Sequence, residues 1–103
     1  MNSLNITKYE EKHDKVTLLV NEFDPCGFIH FGAPHNEYDC LTNKILNYYL
    51  EKKTRDEIKI MIIHEVEYHF GCIDLSVMLK EDEDNFLKDL DNLLNKLETE
   101  IIQ

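Results

Sequence analysis

Arginine occurs once in this 103-residue chain, at Arg55, so recognition of phosphate through planar, two-pronged guanidinium contacts has almost no raw material. Glycine is scarce too. Gly27 and Gly32 lie five apart with no lysine following, which rules out a glycine-rich phosphate cradle. Ser3 and Ser76 are the only serines, and neither sits in a G-x-S-x-G elbow. The three cysteines, Cys26, Cys40 and Cys72, are widely spaced with no C-x-x-C pair. That is a poor disulfide framework and a poor zinc site, so reduced cytosolic thiols acting as small apolar fillers are expected. No apolar run approaches the roughly 20 residues that span a membrane; TLLV and IMIIH are far shorter. The start, MNSLNITKYEEKHDK, has no apolar stretch of the signal-peptide kind. These absences together predict a soluble, cytoplasmic protein.

What the chain does contain is hydrophobic residues and acid. A hydrophobic content of 43% supports one modest core, and therefore a single domain over residues 1–103. Net charge is −10, and residues 80–103 supply half of it, with eight acids against three lysines. Such a field repels nucleic acid and anionic lipid and favours a basic protein partner. The acidic residues Glu81, Asp82, Glu83, Asp84, Asp89 and Asp91 are the candidate contacts, with exposed tyrosines as possible anchors.

Hydrophobic spacing predicts an all-α fold, a small four-helix bundle. Ile6, Tyr9, His13, Val16, Val20 and Phe23 mark a first helix from about Ser3 to Glu22. Asp24 precedes Pro25 and so is biased out of the α region, ending it. Asn36 is the expected cap of a second helix, with Asp39 three residues on and a stripe of Tyr38, Leu41, Ile45, Tyr48 and Tyr49 widened by Leu46 and Leu50. Thr54 and Glu57 form a capping box for a third, lined by Ile58, Met61, Ile62, Val66 and Phe70, broadened by Ile60 and Ile63, and stopped by Gly71. A turn of helix is possible within 72–80. Phe86, Leu90, Leu93, Leu94, Leu97 and Ile101 define the fourth helix. No segment alternates with the period of a strand.

The stretch FDPCGFIHFGAPHNEYD, from Phe23 to Asp39, holds both prolines and two of the three glycines. Cys26 beside His30 and His35 could be drawn as a thiol–imidazole pair, and Asp24, Glu37 and Asp39 as cation ligands, but each acid has a simpler use as a cap, turn former or dipole partner. The favoured role is an ordered loop between helices 1 and 2, with Phe28, Ile29 and Phe31 folded over the core. HEVEYH, at His64–His69, lacks the His-Glu-x-x-His spacing of a zinc hydrolase, because the position four after His64 is Tyr68. On an α-helix His64 and His69 would stand about 140° apart. No catalytic, metal or cofactor residue is assigned.

Asp24-Pro25-x-Gly27, Gly32-Ala33-Pro34 and Glu37-Tyr38-Asp39, with His69-Phe70-Gly71 closing the third helix, resemble a bacterial family of short helical proteins. Its members run aromatic-Asp-Pro-x-Gly and then Pro-x-x-Glu-Tyr-Asp, over what corresponds to residues 20–71, usually with tryptophan where this chain has Phe23. The resemblance implies an all-helical domain of unknown function and brings no catalytic residues with it. In size and acidity the chain is also similar in type to immunity proteins of bacterial toxin–immunity pairs. The expectation is an immunity protein or antitoxin that occludes a basic toxin domain, with no nucleic-acid or membrane partner. A small adaptor bundle, able to pair as a homodimer through surplus apolar helix face, is the alternative, and an enzyme or ligand binder centred on Asp24, Cys26, His30 and His35 a third.

Overall fold

A computed structural model describes the backbone of residues 2–101 and the side chains of residues 9–101. The expected stripe position Ile6 and the Ser3 hydroxyl lie outside the described side chains. Among the described residues the chain forms helices α1 (Asn2–Phe23), α2 (Asp39–Leu50), α3 (Arg55–His64) and α4 (Lys80–Glu100), with no strand. α3 runs directly into a π turn, Glu65–His69. α1 packs on α2 and α4, and α3 packs on the same two helices from the other side. The connections reverse the chain each time, giving the expected four-helix arrangement.

The core is the set of stripes read from spacing. Val16, Val20, Leu41, Ile45, Ile58, Ile62, Val66, Leu90, Leu94 and Leu97 are all fully buried, and each such side chain contributes about 1.5–3 kcal/mol relative to exposure. Three stripe positions depart from expectation. Tyr9, Leu50 and Ile60 are exposed, because two helical neighbours cannot cover a stripe wider than the seam they form.

Polar contacts lace the seams. Arg55, the lone arginine, reaches from α3 to Glu98 at 2.8 Å and to the Asp91 carbonyl at 3.3 Å on α4. Lys59 bonds the Asp91 carboxylate at 3.0 Å. Lys96 joins α4 to Glu22 of α1 at 3.2 Å, and Lys44 joins α2 to Glu65.

The helix ends follow local chemistry. Thr54 caps α3 as expected, accepting from the Glu57 N–H. α2 begins later than Asn36 predicts: Tyr38 occupies the cap position with no side-chain cap, and the Asp39 N–H donates to the Asn36 carbonyl in a preceding turn. The physical reason is Tyr38, whose ring is pulled into the core and so dictates where the helix can start. α2 ends in a Schellman motif, Lys53 N–H to Tyr48 carbonyl and Lys52 N–H to Tyr49 carbonyl. Lys52 takes the left-handed position at φ +59.

Candidate functional site

The conspicuous loop is built around one carboxylate. Asp24 turns left-handed at φ +41, which aims its side chain back into the loop. Its Oδ1 accepts from the Ile29 N–H at 3.1 Å and the Tyr38 hydroxyl at 2.6 Å, and its Oδ2 from the His30 N–H at 2.9 Å. The Tyr38 oxygen in turn accepts from the Cys26 N–H at 3.0 Å. Asp24 and Tyr38, 14 residues apart, are thus one hydrogen-bonded unit. Burial raises the Asp24 pKa, but the Tyr38 hydroxyl and the His30 and Ile29 amides outweigh it and hold the carboxyl below its ordinary 3.8. Burial and the Asp24 bond push the Tyr38 phenol well above its usual range.

Apolar contacts finish the loop. Phe28 stacks on Tyr38 with centroids 5.4 Å apart, and Phe70 meets both rings edge-on. Gly27, at φ +73, lies where an added Cβ would touch the Phe31 ring at 3.4 Å. Pro25 follows the left-handed Asp24, Pro34 receives the Glu37 N–H on its carbonyl, and Glu37 itself is exposed. Phe31, expected over the core, is 86% exposed.

The cysteines overturn their reading as reduced fillers. Cys26 and Cys72 form a disulfide, with Cα atoms 5.4 Å apart, that ties the loop to the end of the π turn; Cys40 is free and exposed. Spacing alone could not choose this pair, since 46 residues separate its members. The thiol that a Cys26–histidine couple requires is therefore bonded to Cys72. His30 and His35 are exposed, the first against Phe31.

The π turn reshapes HEVEYH. Phe70 N–H donates to the Glu65 carbonyl, five residues back, and His64 lies beside Tyr68, four residues on, with ring centroids 4.8 Å apart. Glu65 is buried at 4% exposure. Its Oε1 takes the Lys44 ammonium, which that bond holds above its ordinary pKa. Its Oε2 has no hydrogen-bond partner, with His69 Nδ1 at 3.9 Å. Among the described residues no group of three or more His, Cys, Asp or Glu is placed to hold a metal ion, and no helix is long and apolar enough to cross a membrane.

The six acidic candidates divide. Chain reversal sets the start of α4 at the same end of the bundle as the disulfide-tied loop. Glu81 and Asp82 are exposed and outside every ion pair among the described residues. Glu83 is half-buried, and Asp84 is exposed with Lys80 at 3.6 Å. Three of these acids lie in the first turn of α4, where the helix dipole favours negative charge. Asp89 is exposed one turn further along, in a shallow groove with Glu22 and Lys96. Asp91 differs in being engaged by Lys59 and Arg55 within the fold. Val77 and Leu79, 77% and 74% exposed, immediately precede the acids. Sequence reading missed them because isolated apolar residues outside a periodic stripe carry no signal of exposure.

Comparison with protein-family models, with curated proteins and with solved structures found no match.

Proposed function

We propose that this chain is an acidic binding protein that occludes a basic protein domain, acting as the immunity protein of a bacterial toxin, with a nuclease domain as the fitting partner. The observation that carries it is the exposed acidic run Glu81–Asp84 beside exposed Val77 and Leu79. Apolar anchors within a charged rim are the composition of a protein-docking surface. A nuclease domain must be basic to hold phosphates, so an acidic surface competes for its cleft. Asp91 leaves the contact set, since its charge is used between α3 and α4. The resemblance of residues 20–71 to a bacterial helical family fits this reading without deciding it. The cytoplasm ceases to be a premise, because disulfides such as Cys26–Cys72 persist in oxidising compartments; occlusion needs only that the two proteins meet.

The test is calorimetric titration against the C-terminal domain of any large secreted protein found encoded beside this gene. Affinity should weaken roughly ten-fold or more between low and high salt. Binding that ignores salt contradicts the charge argument. The adaptor reading would be favoured instead by a homodimer in sedimentation that buries Val77 and Leu79.

A further inference from the structure

At the end of the bundle away from the acidic run, basic residues gather. A pocket of about 440 Å³ is floored by Leu46, Tyr49, Leu50 and Ile101 and rimmed by Lys12, Lys52 and Lys53. None of these lining residues is an acid, although the chain carries 21 acids against 11 bases. Lys52 and Lys53 follow the C-terminus of α2, where the helix dipole favours cations anyway. That does not explain Lys12, which comes from α1. Nor does it explain a side chain at position 52, whose φ of +59 suits glycine. Among the described residues Lys12 and Lys52 make no ion pair, and Lys53 has only Glu57, at 3.9 Å. Leu50, 60% exposed, is the stripe residue left uncovered at this spot. Burial, with Glu98 adding and Arg55 opposing, pushes the Tyr49 hydroxyl up to about 12, so it stays a proton donor.

We propose that this pocket binds a small anionic amphiphile, its carboxylate met by Lys12, Lys52 and Lys53 and its single alkyl chain lying on Leu46, Leu50 and Ile101. Among the described residues Lys12 and Lys52 are unpaired and Lys53 is opposed only by Glu57 at 3.9 Å, so ammonium groups over an apolar floor supply both halves of that recognition, and the volume lies in the range of about 300–1,000 Å³ typical of small-molecule sites. The pocket shares no residue with the acidic surface, so this inference and the protein-binding reading fail or succeed separately.

Calorimetric titration with decanoate, below the concentration at which it forms micelles, should give saturable one-to-one binding. Decanol should bind at least about five-fold more weakly for want of the charge, and acetate undetectably for want of the chain. Lys12→Gln with Lys53→Gln should weaken decanoate about ten-fold, and Leu50→Asn about five-fold. Lys96→Gln, on the α1–α4 seam, should leave affinity unchanged. All the substituted side chains are exposed, and circular dichroism with thermal melting establishes that each variant is folded. Equal affinity for decanol and decanoate, or undiminished binding by the double lysine variant, overturns the proposal. So does binding to phosphatidylglycerol vesicles without binding to decanoate, which would mark a charged surface rather than a pocket.

Discussion

At the residue scale, two left-handed side chains carry opposite consequences. Lys52 sits at φ +59 with no compensating side-chain bond. Lys52→Gly should therefore raise stability by roughly 0.5–1 kcal/mol, read as a higher urea midpoint. Asp24 sits at φ +41, but its carboxylate gathers two amides and the Tyr38 hydroxyl. Tyr38→Phe removes a hydroxyl bonded to a charged partner, and should cost about 1.5–3 kcal/mol in chemical unfolding. The pH dependence follows the sign of the shift. The folded Asp24 pKa lies below the ordinary 3.8, so its stabilisation is fully present above that value and is lost as pH falls through the folded pKa. Acid unfolding of Tyr38→Phe should accordingly be less steep below pH 3.8 than that of the parent protein. In the sequence Asp24 and Tyr38 are motif residues and their loop reads as mainly structural. The bond between them was illegible, because a contact across 14 residues depends on the left-handed turn at Asp24, which spacing does not encode.

At the scale of elements, α4 has two charged sections with different duties. Asp91 is bonded to Lys59 and lies 3.9 Å from the Arg55 guanidinium, so Asp91→Lys should lower the melting temperature by several degrees while placing like charges together on the α3–α4 seam. Glu81→Gln with Asp82→Asn breaks no internal ion pair and gives up only the dipole interaction of two exposed first-turn charges, about 0.3–1 kcal/mol each, so it should lower the melting temperature less than Asp91→Lys. Differential scanning calorimetry distinguishes the two. α4 was the most legible element, with all six stripe positions from Phe86 to Ile101 buried, because its apolar period is clean and its opposite face polar. The third stripe held past His64, with Val66 buried, Phe70 against the core and Gly71 left-handed, but the change to a π turn was not legible. The π turn that follows begins with Glu65, whose buried carboxylate meets the exposed Lys44 ammonium, and a buried acid breaks the apolar pattern that sequence reading relies on. α2 was displaced at its start for a related reason: a good capping asparagine at position 36 yields to the burial of a large aromatic two residues later.

For the whole molecule, the disulfide and the charge distribution decide behaviour. Cys26–Cys72 closes a loop of 46 residues, for which the chain-entropy relation gives about 4 kcal/mol of stabilisation. Cys26→Ser with Cys72→Ser should lower stability by roughly 2–4 kcal/mol in urea unfolding, and reductant should lower the parent protein similarly. If reductant leaves the urea midpoint of the parent unchanged, the loop is held by the Asp24–Tyr38 unit alone. The charge is divided between ends, with the acidic run at the start of α4 and the lysine-rimmed pocket at the opposite end. A net charge of −10 hides that polarity, which is why composition pointed to a basic partner and gave no sign of the lysine pocket. The proposed immunity role rests on the acidic run at the start of α4 neutralising a basic toxin domain. Its most direct measurement is growth of cells producing the C-terminal domain of any large secreted protein found encoded beside this gene, with either the parent protein or a variant carrying Glu81→Gln, Asp82→Asn, Glu83→Gln and Asp84→Asn. The account predicts that the parent restores growth and the folded variant does not; no protection by the parent, or equal protection by both, would contradict it.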